Sequence, residues 1–217
     1  MDFVAVAHDL RTPLNVVLAY VRLLSAEHVS DLGRHRLDII ETQIGRMMRL
    51  LDTCVARTDG PRLTLIDLNT AIRNVAAELD AILQQRQIEI ELDVDESLPP
   101  MWGDADALHR VLLNVLVNSA DAISGSGRIR VSARCARAWS TQEQAIQIEV
   151  TDTGTGIPAD LLPCVFDRGF TTKRPGHGSG LGLGICRDII HMHGGRMELL
   201  SEQGKGTTVR LSLPIGA

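Results

Sequence analysis

The chain reads as an α+β protein in two parts: an N-terminal antiparallel helical hairpin, followed by an α/β sandwich built on a mixed sheet. Three observations predict this class. Residues 1–58 hold only Gly33 and Gly45 as glycines and carry heptad spacing. Thr58-Asp59-Gly60-Pro61 then breaks the helical pattern. Beyond it, short alternating apolar runs interleave with longer stretches of helical period, the order expected of a layered α+β domain. The division falls between residues 1–58 and 59–217.

In the first part, Phe3, Ala7, Leu10, Leu14, Val17, Val21 and Leu24 step alternately by four and three residues. Leu37, Ile40, Ile44, Met47, Leu51 and Cys54 do the same. Each series lays an apolar seam along one helix. Residues 27–33 between them are polar, with Ser30 or Asp31 available to cap the second helix. Two helices cannot enclose both seams, so the hairpin predicts a homodimer closed as a four-helix bundle. The alternative is a helical pair packed on the second part.

The second part opens with a strand at 62–68 and a helix at 69–85 capped by Asn69. Residues 88–94 alternate Ile, Leu and Val with acids, as a half-exposed strand does. A long helix follows at 104–123, then strands at 128–135 and 145–151 joined by a loose loop. A helix at 181–193 and a hairpin of strands at 195–201 and 207–213, turning on Gln203-Gly204-Lys205-Gly206, close the chain. Helices on one face of the mixed sheet complete the sandwich.

Bulk properties exclude several classes. A hydrophobic share of 44% with 23% charged residues is that of a soluble globular protein. No apolar run approaches the roughly 20 residues that span a bilayer, and no signal-peptide core follows Met1. The chain therefore reads as cytoplasmic and without a membrane segment. A net charge of −5 gives no general attraction to nucleic acid. Arg128, Arg130, Arg134 and Arg137 read as a solvated strand face. Cys54, Cys135, Cys164 and Cys186 lie far apart without a CxxC pair, which suits reduced thiols better than a zinc site or disulfides.

Two glycine clusters carry the chemistry. They are Asp152-Thr153-Gly154-Thr155-Gly156 and Gly178-Ser179-Gly180-Leu181-Gly182-Leu183-Gly184; neither is a Walker A loop. The second opens a helix, so free N–H groups and the positive dipole end there offer a phosphate cradle. Thr171-Thr172-Lys173-Arg174-Pro175-Gly176-His177 precedes it, basic and glycine-flanked like a mobile lid. Lys173 is its best phosphate contact, and His177 reads as a surface residue. Asn114 and Asn118 stand one helical turn apart among apolar neighbours. A carboxamide oxygen there suits Mg²⁺; buried amides bonded to backbone are the other reading. Asp152 ends an apolar strand, where its carboxylate can accept from the exocyclic amine of adenine and would repel the carbonyl of guanine. The plain reading is an aspartate in a turn. Gly154 and Gly156 would let backbone approach the base, and Thr207 could donate its hydroxyl to Asp152 from a neighbouring strand. His191 and His193 are explained by the helix C-terminus.

Near the amino end, His8 lies just off the heptad seam with Asp9 beside it. A carboxylate bonded to one ring nitrogen raises the nucleophilicity of the other. Thr12 lies one turn on, and Pro13 should kink the helix there. Taken alone, His8 reads as a surface residue.

The string His8-Asp9-Leu10-Arg11-Thr12-Pro13-Leu14-Asn15 resembles the H box of bacterial sensor histidine kinases. Residues 109–122 resemble their N box, 152–157 the first glycine box, 166–173 the F box, 178–183 the second glycine box and 204–207 the closing Gly-Thr motif. The order is the family's, and the match covers nearly the whole chain. The resemblance implies a dimerisation and phosphotransfer hairpin, then an ATP-binding domain of the Bergerat fold shared with gyrase, MutL and heat-shock chaperone ATPases. It assigns His8 as phosphoacceptor and Asp9 as its acid/base partner. Thr12 takes the position that orients water for dephosphorylating a response regulator. Asn118 becomes the principal Mg²⁺ ligand with Asn114 nearby, and Asp152 the adenine contact. Gly154, Gly156, Gly178, Gly180, Leu181 and Gly182 shape the ATP pocket, with Lys173 in the lid and Thr207 behind it. The activity implied is ATP-dependent autophosphorylation of His8 and transfer to an aspartate of a receiver domain. The rivals are a phosphatase-dominant regulator, a scaffold whose ATP domain is degenerate, and an ATP-hydrolysing clamp or serine-directed kinase built on the same pocket. With seven residues ahead of His8, the chain reads as part of a longer kinase, whose parent protein can be membrane-anchored, or as a short enzyme driven by a partner. The subfamily, and attack within or between subunits, stay open.

Overall fold

The computed structural model describes residues 63–137, 144–167, 169–171 and 182–215. In the N-terminal segment it describes residues 10, 14, 17, 21, 30, 32, 33, 36, 37, 39, 40, 43, 44, 45 and 47. The chain divides into two compact units, the second of which opens at Leu63.

In the N-terminal unit every described seam residue is helical: Leu10, Leu14, Val17 and Val21, then Leu37, Ile40, Ile44 and Met47. Val21 and Ile44 are buried, whereas Leu10, Val17, Ile40 and Met47 stay exposed in the single chain. Phe3, Ala7, Leu24, Leu51, Cys54 and Pro13 lie outside the described residues.

The second unit runs β1 (Leu63–Ile66), α1 (Leu68–Gln85), β2 (Ile88–Val94), β3 (Met101–Asp104), α2 (Ala105–Ala122), β4 (Gly127–Arg137), β5 (Gln144–Asp152), α3 (Gly182–Met192), β6 (Arg196–Glu202) and β7 (Gly206–Pro214). Five strands form one sheet in the order β2-β4-β5-β7-β6. β2 runs parallel to β4, and the remaining neighbours are antiparallel, so the sheet is mixed. Residues alternate across it. Ile129, Val131 and Ala133 of β4, Ile146, Ile148 and Val150 of β5, and Val209, Leu211 and Leu213 of β7 turn one way into the core. All three helices meet that face. α1 contributes Leu68, Ile72, Val75, Leu79 and Leu83, a stripe at helical period. α2 contributes Leu108, Val111, Leu112, Val115 and Leu116, and α3 contributes Cys186, Ile189 and Ile190. Each large side chain removed from water here is worth about 1.5–3 kcal/mol.

The opposite face is polar. Glu89, Glu91 and Asp93 of β2 stand against Arg128, Arg130 and Arg134 of β4. Arg128 pairs with both glutamates at 3.2 and 3.1 Å, and Asp93 takes Arg130 and Arg134, each at 2.7 Å. The four arginines expected on a solvated face are therefore exposed, and Arg128, Arg130 and Arg134 are ion-paired.

Two local expectations change. The cap of α1 is Asp67, not Asn69: its Oδ1 accepts the N–H of Asn69 at 2.9 Å and of Thr70 at 3.3 Å. Its Oδ2 accepts the Thr70 hydroxyl at 2.6 Å. The strand expected over 62–68 accordingly gives way to α1 at Leu68. β3 was not expected at all. It pairs antiparallel with β1 as a separate two-stranded ribbon, Leu65 opposite Trp102 and Ile66 opposite Met101. Among the described residues no helix is long and apolar enough to cross a membrane.

Candidate functional site

The site is assembled where α2, the end of β5, the start of β7 and the start of α3 converge. α2 is capped by Asp104, whose Oδ1 accepts the N–H of Ala107 at 3.0 Å. The N–H of Asp104 in turn donates to Nε2 of His193 at 2.9 Å, while Nδ1 of His193 meets the Ile189 carbonyl at 2.8 Å. His193 thus closes the C-terminal turn of α3, as expected, and also joins it to the start of α2. His191 is exposed in the last turn of the same helix.

α2 sends its apolar stripe into the core and leaves Asn114 and Asn118 half-buried at its margin. Both border Gly182, the first residue of α3. A Cβ placed there would lie 3.8 Å from Nδ2 of Asn118 and 3.9 Å from Oδ1 of Asn114. Two carboxamides on one face of one helix therefore meet the N-terminal end of another, where free N–H groups and the dipole favour negative charge. Behind this point Cys186 packs fully buried against Val111, and its side chain bonds Asn114. Burial pushes the Cys186 thiol up to about 12, so it stays protonated and structural. Cys135 and Cys164 are free thiols as well.

Asp152 ends β5 and is only 3% exposed. Its Oδ1 accepts the N–H of Gly154 at 2.8 Å and the N–H of Thr207 at 3.1 Å, and the Ser119 side chain also bonds the carboxylate. Burial raises its pKa above the ordinary carboxylate range, and these three hydrogen bonds pull the other way. The carboxylate is thus desolvated and held both by a turn bond to Gly154 and by donors from β7 and α2.

Thr207 reaches Asp152, but not through its hydroxyl as expected. Thr207 lies opposite Ser201 across the β6–β7 pair. Its Oγ1 is 2.8 Å from Ser201 Oγ, leaving the backbone N–H for the carboxylate. Ser201 Oγ also accepts the N–H of Ile157 at 2.8 Å and donates to the Gly206 carbonyl at 2.9 Å. One hydroxyl thereby ties the loop after β5 to the β6–β7 hairpin.

Gly154 and Gly156 also let the loop lie close against other parts of the protein. A Cβ on Gly154 would fall 2.7 Å from the Ala122 carbonyl oxygen, and Thr155 N–H donates to that carbonyl at 2.9 Å. Gly156 has φ 64° and lies against the carbonyl of Glu202. The loop is thus seated on the end of α2 and on the hairpin, which fixes the carboxylate at its base.

The structure brings Asn114, Asn118, Asp152, Gly154, Gly156, Gly182 and Thr207 into this region. His8, Asp9, Thr12, Lys173, Gly178, Gly180, Leu181 and His177 lie outside the described residues. One participant, Ser119, escaped the sequence reading. It follows Asn118 directly on α2, yet nothing in its neighbourhood announces a partner at the end of β5. Its burial beside a polar helix margin was the only available signal.

Comparison with known proteins agrees with this geometry. Residues 103–217 match the model of the histidine kinase-, DNA gyrase B-, and HSP90-like ATPase family, and residues 3–58 match the His Kinase A (phospho-acceptor) domain. The sensor histidine kinase ZraS of Escherichia coli K12 is 32% identical over 213 residues, covering 97% of this chain and 44% of ZraS. The chain thus spans less than half the length of that relative. Among solved structures, the catalytic domain of the histidine kinase ThkA superposes with a TM-score of 0.63 at 26% identity, covering 72% of this chain and 99% of that one. Full-length ShkA in complex with AMPPNP gives 0.66 at 25% identity, covering 98% of this chain and 45% of ShkA.

Proposed function

This chain belongs to the histidine kinase-, DNA gyrase B-, and HSP90-like ATPases, with the phosphoacceptor and ATPase modules of a bacterial two-component sensor histidine kinase, and on that premise we propose that it phosphorylates His8 from ATP and passes the phosphoryl group to an aspartate of a response-regulator receiver domain. The observation that carries this reading is the meeting of Asn114 and Asn118 with Gly182 at the start of α3. It is where a triphosphate would find amide N–H groups and a hard oxygen donor together.

In this reading the division of labour lies between residues 1–58, the phosphotransfer hairpin, and residues 59–217, the ATP-binding domain. Asp152 accepts from the adenine amine. Gly154 and Gly156 hold the loop that carries it, Thr207 supplies its backbone N–H, Gly178, Gly180, Leu181 and Gly182 cradle the phosphates, and Lys173 supplies a positive charge to them. The carboxamides fit Mg²⁺: Asn118 would be its ligand, with Asn114 adjacent, and the ion would offset phosphate charge. His8 offers an imidazole nitrogen that bonds to the γ-phosphorus as the bond to the β,γ-bridging oxygen breaks, releasing ADP. Asp9 holds the other ring nitrogen and stabilises the charge that develops. Thr12 serves the reverse direction, orienting water against the phosphorylated receiver. The exposed seam residues Leu10, Val17, Ile40 and Met47 favour a second copy across the hairpin, as a homodimer.

Incubation with γ-labelled ATP tests this. Wild type is expected to retain acid-labile, base-stable label, and His8→Gln none. Label that survives acid, or that persists in His8→Gln, overturns the proposal.

A further inference from the structure

Three groups donate hydrogen bonds to Asp152, and two are backbone N–H groups fixed by the fold, those of Gly154 and Thr207. The third, Ser119, is the only side chain among them. A serine inside a helix ordinarily bonds back to a carbonyl of its own preceding turn or faces water. Ser119 does otherwise: it is 3% exposed, sits in the last turns of α2 and bonds a carboxylate on β5. Its neighbour Asn118 borders Gly182 at the phosphate end of the same site. α2 therefore presents consecutive residues to the two halves of the pocket, Asn118 toward α3 and Ser119 toward Asp152.

We propose that Ser119 is a positioning residue for base selection: its bond holds the Asp152 carboxylate as an aimed acceptor, and so favours 6-amino over 6-oxo purine triphosphates. The inference rests on the adenine role of Asp152 proposed above. An ionised carboxylate accepts from a 6-amino group and repels a 6-carbonyl. A protonated carboxyl loses this discrimination, since its O–H can donate to a carbonyl while its other oxygen accepts from an amine only as a neutral, weaker acceptor. Burial pushes Asp152 toward the protonated form, and Ser119 is one of the three bonds opposing that push. Removing its hydroxyl weakens the amine contact and relaxes the rejection of the oxo base together.

The test compares equilibrium binding of ATP and inosine triphosphate to the full chain as wild type, Ser119→Ala, Ser119→Thr and Asp152→Ala. A hydrogen bond to a charged group is worth on the order of tenfold in binding. Ser119→Ala is expected to weaken ATP by about that factor while leaving inosine triphosphate unchanged or tighter, so that the ratio of the two affinities collapses. Ser119→Thr, which keeps the hydroxyl, restores the ratio if its methyl is accommodated; thermal melting of each variant reports whether it is. Equal weakening of both nucleotides by Ser119→Ala, or an unchanged ratio, overturns the inference while leaving the adenine role of Asp152 standing. ATP binding that survives Asp152→Ala overturns that role and this inference with it.

Discussion

The N–H of Thr207 lies 3.1 Å from Oδ1 of Asp152, so the carboxylate that ends β5 is anchored by the strand beside it. The bond helps fix the acceptor, whereas burial of the carboxylate costs stability in its ionised form. A carboxyl whose folded pKa is raised stabilises the fold below its unfolded value of about 3.9, and that contribution is lost as pH rises through the folded pKa. At neutral pH the ionised group works against folding. Asp152→Asn is expected to raise the melting temperature of nucleotide-free protein at pH 7 by roughly 2–4 °C, the shift that about 1 kcal/mol gives in a chain of this size. The gain should fade by pH 4, and ATP binding should be lost at either pH. Calorimetry at the two pH values checks this; identical melting at pH 7 would refute it.

Two glycines in the left-handed region separate conformational strain from collision. Gly204 has φ 82° with nothing near its missing Cβ, and Gly156 has φ 64° and lies against the Glu202 carbonyl. Gly204→Ala is expected to cost about 1–2 kcal/mol, the left-handed penalty alone. Gly156→Ala should exceed it by at least about 2 kcal/mol, because backbone must shift to admit the methyl. Urea unfolding midpoints with unchanged slopes measure the difference, and equal losses would contradict the packing described.

The cap of α1 offers a test against acid. Hydrogen bonds from the Thr70 hydroxyl and N–H hold Asp67 below the usual carboxylate range. Its stabilising effect is present above the unfolded value and is lost as pH falls through the lower folded one. Asp67→Ala is expected to destabilise by about 1 kcal/mol at pH 7, as loss of an N-cap does, and by progressively less below pH 4. Asn69→Ala should leave that pH dependence intact. Denaturation curves from pH 3 to 7 distinguish the two positions.

Gly182→Ala separates folding from nucleotide contact. The added methyl would meet Asn118 and Asn114 at 3.8 and 3.9 Å, ordinary packing distances, and alanine favours a helix over glycine. Thermal stability is expected to hold or rise slightly. Titration calorimetry with ATP should nevertheless show weaker binding, because the methyl occupies the approach to the helix N-terminus. Undiminished affinity would remove the phosphates from this end of α3.

What the sequence disclosed follows from period and length. The helical stripes of α1 and α2 and the alternation of β2 span several repeats, so their faces could be assigned before any coordinates. β3 could not, since Met101-Trp102-Gly103-Asp104 is one pleat long, follows Pro99-Pro100 and is buried only at Met101 and Gly103. Asp67 was hidden behind Asn69, an equally good capping type two residues on. In the site, Asp152, Asn114 and Asn118 were legible because polar groups stood out in apolar surroundings. The donors to Asp152 were not: which atom of Thr207 arrives depends on the pairing of Ser201 with Thr207, and Ser119 needs the fold to meet its partner.

The ion pairs on the open face of the sheet bear on how the parallel pair finds its alignment. Antiparallel neighbours can inherit alignment from a tight turn, but β2 and β4 are separated by β3 and α2 and have no turn to guide them. A slide of β2 by one residue would turn Ile90 and Leu92 outward, which burial forbids. A slide by two would keep those faces and set Glu91 opposite Ser132 in place of Arg130. Opposite charges still meet after that slide, Glu89 at Arg130 and Asp93 at Arg134, so the acidic and basic rows fasten the two strands together without selecting a single offset.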